Sequence, residues 1–181
     1  MSRFNEKYKT VAVPALREEF GYTNPHQIPR ITKVVVSAGV GRAVSDAKHL
    51  EAATETLARV TGQKPVTTIA RKSIAAFKLR EGNQVGTTVT LRGVRAEEFL
   101  DLLVSVVLPR IRDFRGISNT AFDPHGNYSL GLTEQSMFPQ IPFEEVGTPH
   151  GLQINVVTSA ASAAEGKRLL ELMGFPLKRN A

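Results

Sequence analysis

Cysteine is absent from this chain. Without it there is no disulfide framework, no thiolate nucleophile and no Cys-type zinc site, and a reducing cytosol is the expected setting. Tryptophan is absent too, and aromatic residues make up only 7% of the sequence. Base stacking on an aromatic platform is therefore not expected to dominate any contact with nucleic acid. No long apolar run occurs. The most apolar stretch, Phe99–Leu108, contains Asp101 and Ser105 and falls far short of the ~20 residues of a membrane span. Met1–Thr10 is charged and polar, unlike a secretory leader. The expectation is a soluble cytoplasmic protein with no membrane partner.

The signatures of enzymes are thin. No G-x-S-x-G or H-E-x-x-H pattern is present, and His26, His49, His125 and His150 are isolated from one another. None has the i, i+4 spacing of metal ligands, so no metal is expected. Glu97–Glu98 and Glu144–Glu145 are sequence neighbours, and adjacent helical positions do not face each other. Gly39-Val40-Gly41 follows an apolar run and precedes a helical pattern, as a dinucleotide loop would. The third small residue of that fingerprint is missing, because its place is taken by Val44, and no P-loop lysine follows. A tight strand-to-helix turn explains the glycines. No cofactor is expected.

Acids are nearly missing from one segment. From Val60 to Arg95 there are seven bases (Lys64, Arg71, Lys72, Lys78, Arg80, Arg92 and Arg95) and one acid, Glu81. The rest of the chain holds 16 bases and 16 acids, so the entire net charge of +6 sits in this one stretch. Charge placed for solubility is usually spread. A concentrated basic segment is the electrostatic footprint of a polyanion. The plain alternative is a solvated basic hairpin without a partner.

At 181 residues a chain buries about 70% of the surface its unfolded form exposes, enough for one domain with a core of its own. Arg3–Phe20 reads as an amphipathic helix interrupted by Pro14, with Phe4, Tyr8, Val11, Ala15 and Leu16 on one face. Arg30–Ala38 reads as a buried strand. Ser45 is placed to cap a helix with the stripe Leu50, Ala53, Leu57 and Val60, stopped by Gly62 and Pro65. Pro65–Ala70 and Gln84–Arg92 read as strands. In the second, Val85, Thr87, Val89 and Leu91 share one face, and Gly86, Thr88, Thr90 and Arg92 the other. The connection Arg71–Asn83 is long for a hairpin. Its cations cannot be buried cheaply, so it is expected to be a protruding, mobile appendage. Ala96–Val107 reads as a helix with Phe99, Leu102, Leu103, Val106 and Val107 inward. Pro109–Gly116 is a second basic cluster with Arg110, Arg112 and Arg115. Ala121–Asp123 and Asn127–Leu132 form a hairpin pattern, and Leu152–Thr158 another strand. Ser162 and Glu165 make a capping box before a helix to Met173, and Lys178 and Arg179 lie in the tail. Hairpins mixed with helical crossovers predict an α+β fold: a single domain over residues 1–181, a mostly antiparallel sheet packed with helices, and one long basic loop excursion at about 71–83.

Four blocks make the chain recognisable: GQKPVTTIARKSIAAFKLREGNQVGTTVTLRG (Gly62–Gly93), LPRIRDFRG (Leu108–Gly116), FDPHGNYSLG (Phe122–Gly131) and TEQSMFPQI (Thr133–Ile141). In this order they resemble the family of bacterial large-subunit ribosomal proteins that bind 5S ribosomal RNA. The resemblance implies a structural role in the central protuberance of the large subunit. It implies contacts to 5S rRNA, 23S rRNA, peptidyl-site tRNA, other 5S-binding proteins and, across an intersubunit bridge, a small-subunit head protein. It places Ser37, Gln63, Lys64, Thr90 and Arg92 at the 5S contact, Ser37 standing where the family commonly has asparagine. It places Arg71, Lys72, Ser73, Lys78 and Arg80 at the tRNA contact. Two other readings use the same residues differently. A free-standing RNA chaperone or regulator would bind RNAs without discrimination. An enzyme acting at Gly39–Gly41 would bind a small phosphorylated ligand.

Overall fold

The computed structural model describes residues 2–44, 46–142 and 149–178. Its elements alternate as expected of an α+β protein. The N-terminal helix is α1 (Arg3–Lys7) and α2 (Val13–Phe20), joined by one wide turn over Tyr8–Ala12. Then come β1 (Ile31–Gly39), α3 (Lys48–Thr61), β2 (Val66–Ile69), β3 (Gln84–Leu91), α4 (Val94–Leu102), β4 (Tyr128–Leu132), β5 (Leu152–Thr158) and α5 (Ala163–Met173). The five strands form one antiparallel sheet in the order β2-β3-β1-β5-β4.

The chain divides into two compact units. One takes Met1–Val34, Arg92–Leu130 and Asn155–Ala181, the other Val35–Leu91 and Gly131–Ile154. The first has its own core of Leu16, Leu100, Leu103, Leu108, Tyr128, Leu169 and Leu170, all fully buried. The second is built on Val36, Leu57, Leu91, Phe138 and Ile154. In this second unit α3 packs on β3. The stripe Leu50, Ala53, Leu57 and Val60 is buried as the spacing predicts. Gly62 ends α3 with a left-handed φ of 63°, where an L side chain would be strained. Ser45 lies outside the described residues. The Asp46 carboxylate meets the Lys48 N–H at 3.0 Å at the start of that helix.

Two helical expectations shift. At the N-terminus Ala12 is buried and Val11 is 45% exposed, one residue out of the predicted face. The cause is the wide turn: the Val13 N–H bonds the Tyr8 carbonyl, five residues back. The extra residue rotates the face. The same happens after α4, where the helix continues through a wide turn at Leu103–Val107 and the Leu108 N–H bonds the Leu103 carbonyl. There Leu100 and Leu108 are fully buried, whereas Leu102 and Val106 are only half-buried. In both places the donor precedes a proline, Pro14 or Pro109. Proline has no N–H to give the preceding turn, and the i→i−5 bond just before it keeps the helix closed. The hairpin pattern around Pro124–Gly126 survives in reduced form, as a Phe122–Tyr128 bridge ahead of β4. The Ser162–Glu165 box forms in part: the Glu165 N–H reaches the Ser162 hydroxyl, but the Glu165 carboxylate accepts the N–H of Ala161, one residue before the cap.

Candidate nucleic-acid interface

β3 carries the alternation that its sequence predicts. Thr87, Val89 and Leu91 are buried at 1%, 2% and 0% exposure, whereas Thr88 and Thr90 are half-exposed and Arg92, just after the strand, is exposed. β1 does the same, with Val34, Val36 and Ala38 buried and Ser37 half-exposed between them. The Val40 N–H bonds the Val85 carbonyl at 2.9 Å, and the Thr88 hydroxyl reaches the Val36 carbonyl at 3.3 Å. Ser37, Thr88 and Thr90 therefore share the open side of the sheet. Gln63, just past α3, leans onto the same place: its Nε2 donates to the Thr90 carbonyl at 3.3 Å. Lys64 beside it is exposed. The hydroxyls of Ser37 and Thr90 make no hydrogen bond with the described residues, so both are available to an outside partner.

A glycine lets these strands close up. The β2–β3 register slips by one residue between Thr68 and Ile69. A Cβ on Gly86 would stand 2.6 Å from the Ala38 carbonyl oxygen and 3.1 Å from the Thr68 hydroxyl. Only hydrogen fits there.

The excursion between β2 and β3 is a small hairpin closed at its neck by the main chain. The Ala70 N–H bonds the Asn83 carbonyl (2.8 Å), and the Gly82 N–H bonds the Ala70 carbonyl (3.0 Å). Further out, Ile74 and Leu79 exchange two backbone bonds of 2.9 and 3.1 Å. A single 3₁₀ turn, Ala75–Phe77, forms the tip. Lys78 turns the chain back with φ of 53°. The Ser73 hydroxyl accepts the Glu81 N–H at 2.9 Å, which leaves its own proton for an external acceptor. The excursion protrudes as an appendage does, and it is internally bonded. Arg71, Lys72, Lys78 and Arg80 are all exposed, and none forms an ion pair with a described residue. With Glu81 the one acid of the excursion, a net positive field remains, which suits a phosphate-binding surface.

Other features of the sequence resolve plainly. Arg110, Arg112 and Arg115 are exposed, with Asp113 among them at a left-handed φ of 54°. Gly39, Val40 and Gly41 border a cavity of about 440 Å³ together with His49, Pro149 and His150. No Lys or Arg is among its described lining residues. Among the described residues no cluster of His, Asp and Glu is fit to hold a metal, and no helix is long and apolar enough to cross a membrane. Glu144–Glu145 and Arg179 lie outside the described residues.

The sequence itself is similar to known proteins over nearly its whole length. Residues 24–80 match the family profile "Ribosomal protein L5", and residues 84–177 match the profile for the C-terminus of the same ribosomal family. The large ribosomal subunit protein uL5 of Rubrobacter xylanophilus is 51% identical over 180 residues, covering 99% of this chain and 100% of its own. The chain belongs to the uL5 family. Its likeness to uL5 of Kocuria rhizophila is 53% over 178 residues, covering 98% of this chain and 94% of that one. Its likeness to uL5 of Leuconostoc citreum is 53% over 174 residues, covering 96% and 97%. The family consists of structural components of the large ribosomal subunit and not of enzymes.

Sequence reasoning brought Gln63 to Thr90 and Ser37 to the same open side, and it set the four cations together on one excursion. It missed the apolar members of this surface. Phe77 at the tip is 74% exposed, Val66 and Ile69 on the edge strand β2 are 66% and 60% exposed, and Ile74 is 43% exposed. The available signal was negative: within Arg71–Asn83 the apolar residues follow neither a period of 2 nor one of 3.6, so no buried face was on offer for them.

Proposed function

We propose that this uL5 chain binds 5S rRNA through the open side of its sheet and helps attach it to 23S rRNA in the central protuberance. Residues 1–181 work as one RNA-binding domain, with 71–83 as its protruding loop. Ser37, Gln63 and Thr90 supply neutral donors and acceptors to the 5S contact, and Lys64 and Arg92 supply charge. Arg71, Lys72, Ser73, Lys78 and Arg80 meet the backbone of peptidyl-site tRNA. Other 5S-binding ribosomal proteins and a small-subunit head protein complete the surroundings. The observation that carries this reading is the excursion itself: four exposed cations without ion pairs among the described residues, held out on a hydrogen-bonded hairpin in a chain of the uL5 family.

RNA recognition through shape, phosphates and 2′-hydroxyls calls for hydroxyls, amides and cations rather than rings, and the open sheet face supplies these. If ~4–6 phosphates are neutralised, log K for 5S rRNA falls with log salt at a slope of about −3 to −5. Competition among labelled 5S rRNA, tRNA and ATP tests the proposal. Preferential, salt-sensitive binding of 5S rRNA and co-sedimentation with the large subunit support it. Equal binding of unrelated RNAs points instead to a general RNA chaperone, saturable ATP binding points to a nucleotide enzyme, and a slope near zero removes the phosphate contacts.

A further inference from the structure

The basic excursion has an apolar tip that its charges do not explain. Phe77 is 74% exposed, more than Val66, Ile69, Ile74, Val11 or Val94, the other large apolar residues that stand out among the described residues. The ring is not there for want of order. The Phe77 N–H bonds the Ile74 carbonyl at 3.2 Å, the Lys78 N–H bonds the Ala75 carbonyl at 3.0 Å, and Ile74 and Leu79 are bonded both ways beneath them. Lys78 holds a left-handed φ of 53°, a backbone state that residues other than glycine seldom adopt. The turn thus holds an exposed phenyl ring next to Lys78, with Arg71 and Lys72 before it in sequence and Arg80 after it.

We propose that Phe77 is a stacking platform for RNA: its face lies against an unstacked nucleobase while Arg71, Lys72, Lys78 and Arg80 hold the phosphates on either side. This rests on the reading of the excursion as the contact to peptidyl-site tRNA. Charge complementarity favours a nucleobase over a protein pocket. Four exposed cations on one short excursion, without ion pairs among the described residues, would oblige a protein partner to bring matching acids, whereas RNA brings its phosphates with the base. Stacking also suits a contact that must accept many tRNAs, because every base has a π-face and the interaction tolerates sequence. The low aromatic content of the chain is no obstacle, since one ring at the tip suffices.

The test uses large subunits reconstituted with variants of the full chain, and reads peptidyl-site tRNA affinity by filter retention at several salt concentrations. Phe77→Ala should weaken retention roughly 5- to 150-fold at an unchanged salt slope. Phe77→Tyr and Phe77→Trp should retain most of the affinity, and Phe77→Leu should lose as much as alanine. Incorporation into the subunit should not change, because the ring touches no core. The combined change of Arg71, Lys72, Lys78 and Arg80 to Ser runs in parallel. If that charge variant weakens tRNA and Phe77→Ala does not, the ring is idle: stacking is overturned and the tRNA reading stands. If Phe77→Leu binds like the native protein, the contact is apolar rather than stacked, which also overturns the proposal. If neither the charge variant nor Phe77→Ala affects tRNA, the tRNA reading falls and the stacking proposal with it.

Discussion

Replacing Thr90 by valine separates recognition from charge more cleanly than any other change on the sheet face. The Thr90 hydroxyl has no hydrogen-bond partner among the described residues, so its removal leaves nothing unpaired inside the protein. Valine keeps the β-branched shape that suits strand β3, and the residue is half-exposed. Folding stability should stay within about 0.5 kcal/mol. If the hydroxyl bonds 5S rRNA, its loss strands an RNA group in a partly dried interface at a cost of about 1–3 kcal/mol, or roughly 5- to 150-fold in Kd. The salt slope should not move, because no phosphate contact has changed. Gln63→Ala should behave alike, with a small folding cost from the 3.3 Å bond to the Thr90 carbonyl. Lys64→Ala provides the contrast: weaker binding to every RNA and a slope shallower by about 0.7–0.9. Titrations of 5S rRNA and an unrelated RNA at several salt concentrations, with circular dichroism to confirm the fold, measure all of this. Equal losses on both RNAs for Thr90→Val and Gln63→Ala would refute the assignment of these residues to 5S recognition.

The remaining predictions concern the excursion and the fold. Changing Arg71, Lys72, Lys78 and Arg80 together to Ser should leave the thermal midpoint and 5S binding nearly unchanged, since these side chains are exposed; peptidyl-site tRNA retention should fall, and a collapse of folding would contradict an appendage. Gly166→Ala should destabilise by at least ~1–3 kcal/mol in denaturant titration, because its Cβ would lie 2.6 Å from the Gly126 Cα and 2.8 Å from the Gly126 carbonyl carbon, backbone that cannot step aside. Asp123 is held below its ordinary value by the Asn127 side-chain amide first, then by the N–H groups of Asn127 and His125. A depressed folded-state pKa means that its stabilisation is fully present above the unfolded pKa of about 3.9 and is lost as pH falls through the lower folded value. Asp123→Asn should therefore flatten the acid limb below about pH 4, and leave that limb unchanged only if the turn does not matter to folding.

Much of this surface could be read from residue order, for reasons that differ by element. In β3 the side chains alternate between the two faces of the sheet, so burial of Thr87, Val89 and Leu91 and exposure of Thr88 and Thr90 follow from pleating alone. The α3 stripe follows from helical pitch in the same way. Val11 comes out exposed and Leu102 and Val106 only half-buried because a period of 3.6 presumes an unbroken helix, and the wide turns before Pro14 and Pro109 each insert a residue that no side chain announces. The nearness of Gln63 to Thr90 came from the family resemblance and not from spacing: 27 positions separate them. The order inside Arg71–Asn83 was hidden for another reason. It is made of backbone bonds between Ala70, Ile74, Leu79, Gly82 and Asn83, and main-chain groups are the same whatever the sequence.

That neck of main-chain bonds has a consequence for how such a protein can change over time. A hairpin fastened by its peptide groups, with the Ser73 hydroxyl the one side chain that joins in, asks little else of residues 71–81, which answer to their partner more than to the fold that carries them. Selection can raise or lower the grip on RNA there by swapping a lysine for a serine or a phenyl for an isobutyl group, without a compensating change in the sheet. The same independence makes the excursion a natural cassette: a foreign tip of similar length, spliced in between Ala70 and Gly82, should be displayed by a core that does not register the exchange.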